Sequence, residues 1–184
     1  DLACFSFHDS KNIVSGEGGA LVTTRANLVE RAHIIWEKGT NRRAFQRGEV
    51  DKYTWVDIGS SFLPSELSAA CLSAQLDHAE EITHDRLETW RLYHDAFSGL
   101  ESGNAQICRP KIPADVVHNG HLYYLLLRDR PTRDKAIANL RARGIIAPFH
   151  YVPLHSAPAG RRFGRTSGTL DVTDDAAARL IRLP

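Results

Sequence analysis

The amino-acid sequence predicts an α/β fold, and two observations support this prediction. Short apolar runs of strand length occur towards both ends of the 184-residue chain. Segments with helical spacing of apolar residues follow or separate these runs, and strands that alternate with helices are typical of α/β units. The predicted strands are residues 2–5, 20–24, 121–127 and 145–152, and we expect the first three to be buried. The clearest helical patterns are residues 25–38, with Gly39 as the terminator, and residues 132–143.

Composition and charge argue against several classes of function. Hydrophobic residues make up 42% of the chain and charged residues 24%, which is ordinary for one large globular domain or two small ones. The formal net charge of +1 gives no reason to expect binding to nucleic acid or to an anionic membrane. No apolar run approaches the ~18 residues of a membrane span. Cys4, Cys71 and Cys108 are odd in number and scattered, so we expect neither a disulfide framework nor a zinc site, and a cytoplasmic location.

A glycine-rich polar loop between the first two predicted strands contains the most suggestive lysine. Gly16, Gly18 and Gly19 allow positive φ angles, which predicts a hairpin-like reversal that holds Lys11 at a strand end. A lysine amine can condense with an aldehyde, and the hydroxyl of Ser6 suits a phosphate group. The alternative is an ordinary solvated surface lysine.

Residues 40–61 are polar and show no clear periodicity, which predicts a loop. At about 20 residues, this loop is long for a compact domain. It is either a flexible excursion or a basic, aromatic arm that binds an anionic ligand. The side chains on which the second interpretation depends are Arg42, Arg43, Arg47, Lys52, Tyr53 and Trp55.

The middle of the chain predicts a long helix that begins near Pro64 and Glu66. Because a helix from there to Leu100 is unusually long, we expect a break near residues 77–81. We expect this helix to stop at residues 99–104, and residues 105–113 to form a connector. The strands at 121–127 and 145–152, with the helix that Gly144 ends between them, form a strand–helix–strand unit. A mobile surface loop at 158–170 and a helix at 173–181 follow.

Several motifs, in order along the chain, carry a resemblance to a known family. The Ser-Phe-His-x-x-Lys-Asn motif at residues 6–12, with the Gly-Glu-Gly-Gly motif at 16–19, resembles the cofactor-lysine segment of the DegT/DnrJ/EryC1/StrS sugar aminotransferases. Residues 37–42, 51–61 and 149–155 are similar to the same family.

The resemblance implies the carboxyl-terminal part of a fold-type I aminotransferase that uses pyridoxal 5′-phosphate (PLP). Residues 1–80 would be the end of the large PLP-binding domain, and residues 81–184 a small α/β domain. Since the chain begins directly on a predicted strand, we expect it to be a piece of a longer protein. The missing part would hold further cofactor-binding residues, so this piece alone should bind PLP poorly.

The resemblance also implies a role for each candidate site residue. Lys11 bears the cofactor and transfers a proton while an amino group moves from L-glutamate to the 4-keto group of dTDP-4-dehydro-6-deoxy-D-glucose. The enzyme would be a homodimer with shared active sites. Ser6 and Ser61 would contact the cofactor phosphate, Ser61 that of the partner subunit, while Lys52, Tyr53, Tyr151 and His155 would contact the substrate.

Three alternatives remain at this point. The first is another nucleotide-sugar aminotransferase of the same family, with a different nucleotide or a C3 keto group. The second is a non-catalytic homologue that binds a sugar nucleotide. The third is a metalloprotein that uses the histidine pairs 118/121 and 150/155, although no carboxylate or cysteine stands nearby at ligand spacing.

Overall fold

The computed structural model describes residues 1–101 and 107–184, and these form two compact units, Asp1–Ile82 and Thr83–Pro184. In the described ranges each unit contains one two-stranded antiparallel sheet together with helices, so the α/β prediction is confirmed. The predicted helix stop at 99–104 and connector at 105–113 fall partly on residues 102–106, outside the described residues. No helix in the described part of the chain is both long enough and apolar enough to cross a membrane.

The first unit begins with a β-hairpin, as predicted. Strand β1 (Leu2–Ser6) pairs antiparallel with β2 (Gly19–Thr23). The pairing continues into the loop, where the Phe7 N–H donates to the Gly18 carbonyl at 2.8 Å and the Asp9 N–H to the Gly16 carbonyl at 3.0 Å. These bonds make the lysine loop an extension of the hairpin.

The prediction that these two strands are buried is wrong for the structure. Leu2 is 56% exposed and Phe5 55%, and Leu21 and Val22 on β2 are equally open. Side chains alternate between the two faces of a strand, and both faces of this hairpin carry apolar residues. In the described ranges this sheet consists of these two strands alone, and its apolar side chains stay largely open to solvent.

Helix α1 (Ala26–Trp36) ends at a tight reversal of the backbone. Gly39, the predicted terminator, has a φ of 76°. Lys38 just before it has a φ of 63°, the one positive φ at a non-glycine residue in the described ranges. A β-carbon on Gly39 would lie 1.8 Å from the Asp57 carbonyl oxygen, so this position also requires glycine for space.

Replacing Lys38 with glycine should therefore stabilise the first unit. The left-handed conformation is unfavourable for residues with a β-carbon, so we expect Lys38→Gly to be about 1 kcal/mol more stable than Lys38→Ala. Urea unfolding of both variants measures the difference, and Lys38→Ala controls for the loss of the long side chain. A glycine variant less stable than the alanine variant would contradict this interpretation of the reversal.

The 40–61 segment is more ordered than the sequence predicts. A short helix, α2 (Arg42–Gln46), lies within it and buries Ala44. Single β-bridges join Thr40 to Trp55 and Glu37 to Ser61. The unbroken-loop prediction is wrong because arginines of α2 pair with the buried carboxylate of Glu37, which lies outside the segment.

The predicted break in the long helix is confirmed. Helix α3 (Glu66–Asp77) and helix α4 (Ala79–Ala96) are separated at His78, whose φ of −108° and ψ of 14° are not helical. Helix α3 begins at Glu66 because the Ser65 side chain accepts the backbone N–H of Ser68 at 3.1 Å.

The second unit is built on strand β3 (Tyr123–Leu126), which pairs antiparallel with β4 (Leu180–Leu183). The buried strand predicted at 121–127 is thus confirmed, with Tyr123 only 3% exposed. Helices α5 (Arg130–Ala142), α6 (Pro158–Phe163) and α7 (Asp171–Arg179) complete the unit with α4. The core is formed by Trp90, Tyr123, Leu125, Leu127, Ala147 and Ile181.

Three predictions for the second unit are corrected by the structure. Residues 145–152 form no strand beyond a single bridge between Phe149 and Ile181. The partner of β3 comes instead from β4, so the helix predicted at 173–181 ends at Arg179. The loop predicted at 158–170 begins with α6, because Pro158 suits the first turn of a helix.

The N-terminal end of helix α5 is stabilised by a carboxylate, and this stabilisation depends on pH. The Asp129 side chain accepts the Thr132 backbone N–H at 2.8 Å, and hydrogen bonds from Thr132 and then Arg128 lower the pKa of Asp129 from 3.8 to about 2. Because the folded pKa lies below the unfolded one, this stabilisation is complete above about pH 4 and is lost as the pH falls towards about 2.

Asp129→Asn keeps a capping side chain that does not titrate. We expect this variant to lose less stability than the unsubstituted chain between about pH 4 and about pH 2. Urea unfolding at a series of pH values measures this, and superimposable pH profiles would exclude the role of Asp129.

Candidate active site

The lysine loop is held in place by its own backbone. The Lys11 N–H donates to the His8 carbonyl at 2.9 Å, and the Ser15 N–H donates to the Phe7 carbonyl at 2.8 Å. Ser15 is buried, and its hydroxyl donates to the Glu17 carbonyl at 2.9 Å. Lys11 is half-buried on this ordered loop, so its side chain is presented from a fixed backbone.

The acidic side chains of the loop pair with His8 and leave the lysine amine available. His8 Nδ1 lies 2.7 Å from the Asp9 carboxylate, and His8 Nε2 lies 3.6 Å from the Glu17 carboxylate. Among the described residues, no carboxylate lies within ion-pair distance of the Lys11 amine. In the described ranges, both of these carboxylates thus lie near His8, and the Lys11 amine has no ion-pair partner.

Ser6 supplies a second polar group on the same hairpin loop. It is the last residue of β1, it is exposed, and its Oγ accepts the His8 backbone N–H at 3.5 Å. Its hydroxyl proton remains free to be donated outward. An amine for an aldehyde and a hydroxyl for a phosphate are two of the kinds of group that PLP needs, so the residues present on this loop fit PLP chemically.

Within the 40–61 segment, the structure leaves Lys52 and Tyr53 open to solvent. Tyr53 is 57% exposed and its ring lies 5.9 Å from that of Phe45. Ser61, exposed at the end of the segment, is joined to Glu37 through the backbone bridge.

The prediction of a basic arm needs a correction. Three of its arginines already have carboxylate partners: Arg42 and Arg43 contact Glu37, and Arg47 contacts both Glu30 and Glu49. The hydrogen bond from Arg47 holds the pKa of Glu49 below its ordinary value, as expected for a formed ion pair. Lys52 is left as the cation of this segment that could bind an anionic ligand.

In the second unit, Tyr151 and His155 have different surroundings. Tyr151 is 73% exposed, and the Arg182 guanidinium lies 5.5 Å from the centre of its ring. His155 is mostly buried, with its Nε2 atom 3.0 Å from the Asp174 carboxylate. Tyr151 can therefore contact a ligand directly, whereas the His155 Nε2 atom is buried beside a carboxylate without hydrogen-bond geometry.

The metalloprotein alternative receives no support from the described residues. They contain no group of three or more His, Cys, Asp or Glu side chains that could hold a metal ion. His118 packs edge-on against Trp90, with ring centres 4.6 Å apart, while His155 pairs with Asp174.

A cavity of about 420 Å³ in the second unit was not predicted from the sequence. None of the seven candidate site residues lines it. Arg109 in its wall donates to the Glu101 carboxylate at 2.8 Å and to the His94 carbonyl, so its charge is already used. Sequence spacing gave no signal for this cavity, whose wall includes Trp90, His94, Arg109, Lys111, Ile112 and His118.

Known proteins resemble this chain along its whole length. The sequence pattern of the DegT/DnrJ/EryC1/StrS aminotransferase family matches residues 1–184. The chain is 31% identical to an uncharacterized protein of Methanocaldococcus jannaschii, across 100% of the chain and 48% of the relative. It is 28% identical to the dTDP-3-amino-3,4,6-trideoxy-alpha-D-glucose transaminase of Streptomyces venezuelae, across 100% of the chain and 45% of that enzyme.

Solved structures give the same result for the fold. The S. venezuelae protein DesV, solved in complex with a ketimine intermediate, matches with a TM-score of 0.82 and 29% identity over 100% of the chain and 46% of DesV. The chain therefore spans about half the length of the relatives it matches. Its fold is that of the carboxyl-terminal part of fold-type I sugar aminotransferases, as predicted.

Proposed function

Because the chain belongs to the DegT/DnrJ/EryC1/StrS aminotransferase family, we propose that its full-length protein transfers an amino group to a nucleotide-linked keto sugar, with Lys11 as the cofactor-bearing residue. Aminotransferases of this family use PLP. The observation that carries the proposal is the half-buried Lys11 on an ordered hairpin loop whose acidic side chains pair with His8.

The proposed chemistry assigns a proton to a stated atom of this chain. PLP, when bound, supplies the aldehyde that the lysine holds and the electron sink that stabilises the carbanion of the amino donor. The Lys11 Nζ atom, released when the donor binds, would take the proton from the donor Cα and deliver it to the cofactor carbon C4′. In the second half of the reaction it would move a proton from C4′ to the sugar carbon that receives the amine. The hydrogen-bonded backbone of the loop would limit the positions open to this atom.

The other candidate residues are proposed to bind and orient. The Ser6 hydroxyl donates to the cofactor phosphate, and Ser61 does the same for the partner subunit in a homodimer. Lys52 binds a phosphate of the nucleotide and Tyr53 stacks on its base. Tyr151 and His155 contact the sugar. By the same proposal, residues 1–80 belong to the large domain and 81–184 to the small domain of a cytoplasmic enzyme.

The specific substrate we propose is dTDP-4-dehydro-6-deoxy-D-glucose, with L-glutamate as donor and dTDP-4-amino-4,6-dideoxy-D-galactose as product. The motifs at residues 37–42, 51–61 and 149–155, which resemble those of the transaminase that makes this product, support it.

Assays of the full-length protein with L-glutamate and a panel of keto-sugar nucleotides test this substrate. The proposal predicts the highest kcat/KM for the 4-keto dTDP sugar. Preference for another nucleotide or for a C3 keto group would support a different member of the family. Binding of sugar nucleotides without turnover of any of them would support the non-catalytic alternative.

A further inference from the structure

Glu37 is a buried carboxylate whose partners both lie on the 40–61 segment. It is 5% exposed and follows directly after α1. Its Oε1 atom lies 2.9 Å from Arg43 Nε, and its Oε2 atom 3.6 Å from Arg42 Nε. Neither contact has hydrogen-bond geometry, so the pairing is electrostatic. A carboxylate buried to this degree is stable only with such partners.

The residue next to Glu37 fixes the other end of the segment. The Trp36 Nε1–H donates to the Phe62 carbonyl at 3.1 Å, and the Phe62 N–H donates to the Trp36 carbonyl at the same distance. The Arg43 guanidinium also lies 4.8 Å over the Trp36 ring. Both ends of the segment are therefore attached to residues 36 and 37.

The part of the segment between these ends has no core of its own. Every residue from 51 to 60 is exposed, and the side-chain contacts of this stretch are at its surface: the Tyr53 ring lies 5.9 Å from that of Phe45, and Asp57 pairs with Arg31. Two backbone hydrogen bonds tie its base: the Val56 N–H donates to the Gly39 carbonyl at 2.8 Å, and the Asn41 N–H donates to the Thr54 carbonyl at 3.2 Å. They do not involve the arginines of α2, which are attached separately: Arg43 to Glu37 and to the Trp36 ring, and Arg47, just after α2, to Glu30 of α1.

We propose that Glu37 is a positioning residue: through Arg43 it holds the 40–61 segment so that Lys52 and Tyr53 meet the sugar nucleotide. This inference rests on the proposed function of those two residues. The proposal gives Glu37 no contact with substrate or cofactor, so its loss should weaken binding of the sugar nucleotide and leave the steps at Lys11 intact.

Steady-state kinetics of the full-length protein test this inference with Glu37→Gln and Arg43→Gln. We expect each variant to raise the KM for the sugar nucleotide roughly tenfold, with kcat and the KM for L-glutamate changed less than about twofold. Hydrogen exchange of residues 47–59 should become faster. Glu88→Gln is the matched control, since its carboxylate forms an exposed ion pair with Arg91 at 2.9 Å; it should change none of these values.

A double variant, Glu37→Gln with Arg43→Gln, leaves no unpaired charge in the buried position and covers the case in which a single variant fails to fold. Its KM should match that of the single variants rather than the product of their effects. An unchanged KM in the double variant, or an equal loss in kcat and in both KM values, would overturn the inference. Lys11→Ala, measured in the same assay, separates the two proposals. If it abolishes turnover, a negative result for the Glu37 variants overturns only the role of Glu37. If it stays active, the proposed function itself is wrong.

Discussion

Replacing Lys11 with alanine in the full-length protein should lower the rate of amino transfer by roughly 10²–10⁴-fold or more. The alanine variant loses both the covalent hold on the cofactor and the amine that moves the proton. Lys11→Arg should be equally inactive, because a guanidinium stays protonated and cannot replace the amine. The rate of 2-oxoglutarate formation from L-glutamate and the keto-sugar nucleotide measures the loss.

The matched control for this prediction is Lys135→Ala. Lys135 is an exposed lysine of α5 that the proposal gives no role in the reaction. We expect its removal to leave the rate within about twofold of the unsubstituted protein. Turnover at the original rate in Lys11→Ala would refute the assignment of the cofactor-bearing residue.

The second large effect is expected in the core of the second unit. Trp90 is 8% exposed, stacks on His94 at 4.7 Å between ring centres, and meets Tyr123 edge-on at 5.3 Å. Trp90→Ala would remove the largest side chain of this core and leave a cavity beneath β3, so we expect it to lower the free energy of unfolding by about 3–5 kcal/mol. Urea unfolding followed by circular dichroism measures this without relying on tryptophan fluorescence.

Leu92→Ala on the same helix separates the loss of packing from any change in helix propensity. Leu92 is 72% exposed, so its removal opens no cavity and should change stability by no more than about 0.5 kcal/mol. Equal destabilisation by both substitutions would show that Trp90 does not hold the core as described.

The elements that were predicted correctly are those that depend on residues close together in the sequence. The hairpin around Lys11 follows from the density of glycine between two apolar runs, and the break at His78 follows from the length of the helical pattern. The role proposed for Lys11 comes from its motif and from its loop.

The errors have a common physical cause, because each element they concern is decided by a partner far away in the sequence. Helix α2 depends on Glu37, and β4 is a strand only because β3 pairs with it across more than 50 residues of chain. The apolar residues of 145–152 predicted a strand by composition, yet the Pro148 carbonyl in this stretch accepts only the single Arg182 N–H at 2.9 Å.

The same distinction between local signals and distant partners applies to the candidate site. Residue types and spacing predicted which side chains could act, and the structure supplies their partners. The pairing of His155 with Asp174 and of Arg43 with Glu37 could not be read from the sequence, since no fixed spacing encodes an ion pair between separate elements. Those partners decide which groups remain available to a ligand.

The most direct test of the account is to find the lysine to which PLP becomes attached. The full-length protein is incubated with PLP, reduced with borohydride, digested and mapped by mass spectrometry. The account predicts a pyridoxyl group on the peptide that contains Lys11, and its absence from the Lys11→Ala variant. A pyridoxyl group on a different lysine, or none in a folded full-length protein, would contradict it.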